Sequence, residues 1–315
     1  MKHKNTYKLT EGAILLAIFT VLLLLTLYIP GLGLVVNFFL ALPFMMFAAK
    51  YDNKSVVIFT IAAVLLSLIF GTFLAIPFTL LYGLTGAIMG IFIRKEKSRL
   101  AVFVAGSLTF LVNTVIQYAA SVVLFNINMI EEFIVTFRES IRTSMDMLQN
   151  MGQSVDRTMI EQMEASITLM ETLMPSMFVI ASFFIVFIVQ LVSFPVLRRF
   201  GIAIKTWPPF RDLLLPKSLL WYYLIALFAS LFMQPDPGSY WYWALTNLLF
   251  VLQFFMMLQG FSFIAYFLHA KGVSRAIFIL IIILAVFIPF VLYIVRILGI
   301  IDLGFDLRKR LFDKK

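Results

Sequence analysis

The chain has 315 residues, of which 62% are hydrophobic and 13% charged, with a mean hydropathy of +1.01; soluble domains carry about a quarter charged residues, so an ordinary soluble fold is excluded. There is no cysteine, which removes disulfides, thiolate metal sites and cysteine nucleophiles, and the two histidines, His3 and His269, sit beside lysines at the edges of apolar runs and offer no zinc or haem site. The net charge of +9 and pI near 9.7 would suggest nucleic acid in a soluble protein. Here the bases cluster in short segments between apolar runs, the pattern that orients a membrane protein, and no nucleic-acid partner is expected.

Three uncharged runs, Gly12–Ala49, Ser55–Ile93 and Leu100–Ile130, are 38, 39 and 31 residues long. A bilayer crossing needs about 20 mostly apolar residues, so each of the first two holds a pair of helices. Pro30-Gly31 and Gly71-Thr72 supply the breaks inside them. No small-x-small cleavage site follows the first apolar segment, so it is expected to stay as a helix. The pattern predicts an all-α, polytopic membrane protein with spans at about 12–29, 32–49, 55–71, 76–93, 100–125, 174–197, 218–234, 241–268 and 276–295.

Lys2, Lys4 and Lys8 precede the first span; Lys50 and Lys54 follow the second; Arg94, Lys95, Lys97 and Arg99 follow the fourth. The turns near 30, 72 and 236 have no base, so the N-terminus is expected on the cytoplasmic side of a bacterial plasma membrane. Nine spans then put Arg308, Lys309, Arg310, Lys314 and Lys315 outside, against that rule. Eight or nine spans, and either side for the tail, stay open.

Residues 126–173 hold eight of the 16 acids. Apolar residues recur at helical spacing through Ile127, Ile130, Ile134, Phe137 and Ile141, then through Val155, Met159, Met163, Ile167 and Met170. The reading is an amphipathic extracytoplasmic helical hairpin interrupted near Gly152, its stripe packed on itself or on a partner. The expected organisation is a five-helix bundle over 1–125, this insert over 126–173, and a second bundle over 174–315. Ile297–Phe312 reads as an interfacial helix, with Asp302, Asp306, Lys309, Arg310 and Asp313 on one face and Ile300, Leu303, Leu307 and Leu311 on the other.

HExxH, GxxxxGK, GxSxG and Cys–His pairs are absent, so no enzyme and no cofactor is expected. The span cores are read as free of carboxylates, with Arg296 snorkelling at an interface. Neutral amides remain: Asn37, Asn113, Gln117, Gln190, Asn247, Gln253 and Gln259. An amide in hydrocarbon needs a partner, either another helix or a bound ligand. Asn113 and Gln117 share a helix face, with Tyr118 adjacent, and form the first pocket candidate. Small-xxx-small spacing at Ala13/Ala17 and Gly86/Gly90, with Gly83 one turn earlier, marks close helix packing or a coupling surface.

T-E-G-A-I-L-L-A-I at 10–18, Pro30, A-L-P at 41–43, G-L-T-G-A-I-M-G-I-F-I-R at 83–94 and L-G-I-I-D-L-G-F-D-L-R at 298–308 resemble the YybS-like family of bacterial membrane proteins over most of the chain. Within that resemblance, the first part is similar to the substrate-binding S components of energy-coupling-factor transporters. Those bundles capture small solutes and dock on a membrane coupling partner through an Ala-x-x-x-Ala surface in the first helix, the place of Ala13 and Ala17. S components have about six helices; the acidic insert and further spans are additions to that plan. The resemblance implies a non-enzymatic solute binder or transporter. The alternative is an interaction protein of the cell envelope that docks through 126–173.

Overall fold

The computed structural model describes residues 2–151 and 157–312; Val155 and Asp156 of the acidic insert, and Asp313, Lys314 and Lys315 of the tail, lie outside the described residues. Among the described residues thirteen α-helices follow one another and there is no strand. They are α1 (Lys2–Tyr28), α2 (Pro30–Val36), α3 (Ala41–Lys50), α4 (Asn53–Gly71), α5 (Ala75–Arg94), α6 (Arg99–Phe125), α7 (Met129–Asn150), α8 (Arg157–Arg199), α9 (Ser218–Met233), α10 (Tyr240–Ala270), α11 (Arg275–Phe287), α12 (Pro289–Phe305) and α13 (Leu307–Phe312).

Among the described residues, seven stretches are long and apolar enough to cross a bilayer: α1, the α2–α3 pair read together, α4, α5, α6, α8 and α10. The expected span at 276–295 is not one straight helix. The α11–α12 pair is apolar enough but bends by 118°. Pro289 is the cause, because it cannot donate its N–H and disfavours helical backbone at Ile288. The span expected at 218–234 is α9, a shorter apolar helix of 16 residues.

The chain divides into two compact units. The first comprises residues 1–144 and 178–206, the second residues 145–177 and 207–315, so residues 126–144 are grouped with the first unit and residues 145–173 with the second.

In the first unit α3 runs parallel to α5. A methyl group added at Gly86 would lie 2.3 Å from the Ala41 carbonyl oxygen, and one at Gly90 would lie 2.5 Å from that of Met45. These glycines pack the interior by letting bare backbones meet. Phe44 fills the space beside Gly83 and stands edge-on to Phe19 and Phe59, with ring centroids 5.0 and 5.3 Å away. Ala13 and Ala17 differ: both lie on the exposed face of α1, among exposed Ile14, Ile18 and Val21.

One end of the first unit collects the charges that the hydrocarbon excludes. Lys8 pairs with Asp52 at 3.1 Å and Lys50 with Glu11 at 2.5 Å, while the Tyr51 hydroxyl donates to Glu11 at 2.6 Å. Asp52 caps α4 by accepting from the Ser55 N–H and hydroxyl, and the hydroxyl bond together with Lys8 holds its carboxyl well below the usual range.

In the insert, α7 and the start of α8 form as helices on either side of the undescribed residues 152–156. Along the expected stripe Ile134 and Ile167 are buried, whereas Ile127, Phe137 and Met159 stay 39–48% exposed. No break occurs at the expected boundary near 174; α8 runs through it as one 43-residue helix with Pro175 inside. Asn247 on α10 attends to that turn. It donates to the Thr172 carbonyl (2.7 Å) and accepts from the Ser176 N–H (3.1 Å) and hydroxyl (2.7 Å). In an ideal helix the Thr172 carbonyl and the Ser176 N–H pair with each other. The Asn247 side chain therefore supports the turn that Pro175 weakens.

Candidate functional site

The most polar interior of the second unit is built where α10 and α12 touch. Gly260 faces the Val295 carbonyl and Gly299 the Met256 carbonyl; an added methyl would stand 1.9 Å from either oxygen. These pairings make the helices antiparallel and bring Gln259, beside Gly260, against Asp302. The Gln259 amide donates to Asp302 Oδ2 at 2.6 Å, and Arg308 Nε donates to the same oxygen at 3.0 Å. Asp302 is 1% exposed, Gln259 and Ser262 0%, and Arg308 9%.

Arg308 reaches this position because the chain reverses at Asp306, which adopts the left-handed region (φ +49°) between α12 and α13. Asp tolerates that conformation better than most residues. The remaining guanidinium donors go to the Arg211 carbonyl (2.7 Å) and to the Ser262 hydroxyl (3.0 Å), and the Arg308 head lies 5.3 Å from the centre of the Tyr266 ring. Ser262 Oγ lies 2.7 Å from the Leu213 carbonyl, and the Leu215 N–H donates to Gln259 at 3.0 Å. The segment before α9 is thereby stitched to α10 through side chains. At its rim Lys217 pairs with Asp306 at 2.5 Å and holds that carboxyl below its usual range.

One sequence expectation is corrected by this geometry. The spacing predicts Asp302 on the polar face of an interfacial helix beginning at Ile297. Residues 297–305 instead continue α12, and Gly299 presses that helix onto α10, so Asp302 points inward and Arg308 folds back to meet it. The same bonds bring Arg308 and Asp306 together with Arg211 and Lys217 within the second unit. Arg296 is half-buried, its guanidinium 4.5 Å from the centre of the Tyr293 ring.

The amides named as ligand candidates separate into two kinds. Asn113 donates back to Thr109 on its own helix (2.9 Å), Gln117 to the Pro77 carbonyl of α5 (3.1 Å), and the Tyr118 hydroxyl to Asn128 (3.0 Å). Asn113 and Gln117 do not pair with each other. Asn247 is committed to α8, and Gln253 is half-buried on α10. Gln190 is the contrast: 0% exposed, with neither amide atom hydrogen-bonded among the described residues. Ser193 one turn along α8 and Ser107 on α6 are equally buried, and their hydroxyls equally unmet; Asn37 Oδ1 and Asp302 Oδ1 are also buried without a partner. No group of three or more metal-ligating side chains occurs among the described residues.

A family model described as "Predicted membrane protein (DUF2232)" matches residues 17–303, from the first helix to the end of α12. The chain belongs to the DUF2232 family of predicted membrane proteins. The DUF2232 match includes Gln190, Gln259, Ser262 and Asp302 and stops before Arg308. Over 310 residues the chain is 29% identical to "Uncharacterized protein YybS" of Bacillus subtilis (strain 168), covering 98% of this chain and 99% of that relative. This bears out the YybS-like resemblance; neither comparison carries the likeness to S components. No solved structure matches.

Proposed function

We propose that this DUF2232 protein is a non-enzymatic plasma-membrane protein that binds a small polar solute for uptake or sensing, with the first unit as the binding body. The observation that carries the reading is Gln190. A buried amide left unmet costs about 1–3 kcal/mol per polar group, a penalty that a ligand bound there would relieve. Ser107 and Ser193 supply further unmet hydroxyls in the same interior. Ala13 and Ala17, exposed on α1, are the surface proposed to meet a membrane coupling partner. The test is thermal melting of the detergent-purified chain against vitamins, nucleobases and metal ions. A hit should raise the midpoint in the parent and not in Gln190→Leu; a flat screen overturns the reading.

The proposed orientation puts the N-terminus in the cytoplasm, supported by the bases gathered at one end of the first unit. Because the chain has no native cysteine, single cysteines at Lys54 and Ser239 report sidedness cleanly with a membrane-impermeant maleimide. Labelling of intact cells at Ser239 and not at Lys54 is the expected outcome. A second reading, docking of an envelope protein on residues 126–173, is favoured by the exposed Ile127, Phe137 and Met159 of the insert. Deleting 129–170 and finding co-purified partners unchanged would remove it.

A further inference from the structure

Beside the turn between α5 and α6 the first unit opens a cleft of about 340 Å³. Its floor is apolar: Ile93, Val102 and Phe194 are buried, and Ile204 is half-buried. Its rim is basic, with Lys97, Arg99 and Lys205 facing a single acid, Glu96. Two of those bases are held in place. The Arg99 guanidinium lies 4.9 Å from the centre of the Phe194 ring, which fixes the plane of its donor fork. Lys205 donates to the Glu96 carbonyl, so the 202–205 segment is tied across the mouth of the cleft, and an ammonium has further N–H groups to offer. Arg198 adds its charge to that of Arg99 from the last turn of α8.

Like charges gathered above an apolar floor repel one another until an anion sits between them. A cation or a neutral sugar would gain nothing from the rim. A bare inorganic anion would leave the floor uncovered. A phosphate ester satisfies both halves, since guanidinium and ammonium groups are the usual phosphate partners and the organic part covers Val102, Phe194 and Ile204. The volume has room for roughly ten waters at about 30 Å³ each, the scale of a glycerophosphate head group. We propose that this cleft is a binding site for a phosphate ester, held by Lys97, Arg99 and Lys205, its source being an anionic phospholipid of the surrounding leaflet or a soluble phosphate ester. The proposal is independent of the solute reading built on Gln190.

The test uses the full chain in a neutral detergent. Native mass spectrometry with equal phosphatidylglycerol and phosphatidylcholine measures lipid retention, and thermal melting with glycerol 3-phosphate probes the soluble source. Phosphatidylglycerol should be retained in preference, and the K97Q/R99Q/K205Q variant should lower that retention by at least about tenfold, given the attraction that each surface base exerts on anionic lipid. Removing the same charge elsewhere, at exposed Lys54, Arg142 and Lys271, should leave retention within about twofold. Lys97→Gln alone, at an exposed side chain that cannot threaten folding, should weaken retention by about fivefold. Stabilisation by glycerol 3-phosphate that disappears in the cleft variants and not in the control assigns the soluble source. Equal losses in the two triple variants, unchanged behaviour of Lys97→Gln, or no response of the parent to either ligand overturns the site.

Discussion

The two units use the same device to bring helices together and differ in how far the amides buried there find partners. Gly86 and Gly90 let α5 meet α3 in the first unit, as Gly260 and Gly299 let α10 meet α12 in the second. In the second unit the close approach carries polar groups into contact: Gln259, Ser262 and Arg308 bond one another, Asp302 Oδ2 and the backbone before α9, and Asp302 Oδ1 alone of that group stays without a partner among the described residues. In the first unit Gln190, Ser193 and Ser107 are as deeply buried and remain unmet. Burial alone therefore does not distinguish a structural polar group from one held open. Completeness of its bonding does.

The largest effect that would break this contrast is expected at the ion pair. Asp302→Leu leaves the Arg308 charge buried and unpaired, and should cost about 3–5 kcal/mol in a detergent melt. Asp302→Leu with Arg308→Met should recover much of that loss, because no charge is then stranded. Next come the glycines. Gly299→Ala and Gly86→Ala drive a methyl onto a carbonyl oxygen and should each cost about 1–3 kcal/mol, whereas Ala17→Val on the exposed face of α1 should stay within about 0.5 kcal/mol. A large effect at Ala17 would show that this face is already covered.

The amides give the most discriminating comparison, because the signs differ. Gln259→Leu deprives Asp302 and the Leu215 N–H of partners and should destabilise by about 1–3 kcal/mol, while Gln190→Leu removes an unmet amide and should leave the ligand-free protein as stable or more stable. Equal losses at both positions would erase the distinction. The smallest effect concerns pH. Asp306 titrates below its ordinary value in the folded chain, so its contribution is present above that ordinary value and is lost as pH falls through the folded one. Hydrogen exchange at residues 307–310 should quicken on acidification below about pH 4, and Lys217→Gln should flatten that step.

Most of the helices were legible because lipid demands uninterrupted apolar runs, and Pro30, Gly71 and the basic turns punctuate them. What escaped was long-range. Asp302 read as part of a solvated face, and Arg308 as one base of the charged tail, because the sequence spacing holds no sign of Gly299 pressing on Met256, nor of the reversal at Asp306. Pro289 did signal the break between α11 and α12, but the apolar run around it concealed the break. Asn247 read as a ligand candidate because its partners, Thr172 and Ser176, lie 75 and 71 residues away. Gln190 was legible as a buried amide, and only coordinates could separate it from Gln259.

The clamp of Asn247 on the turn at Pro175 also has a timing. Ribosomes add about 5–20 residues each second, so Asn247 follows Ser176 out of the exit tunnel by roughly 4–14 s. During that interval the turn lacks its final donor and acceptor in a solvent that supplies neither. Asn247→Leu would make that interval permanent, so it should weaken the finished protein by about 1–3 kcal/mol in a detergent melt.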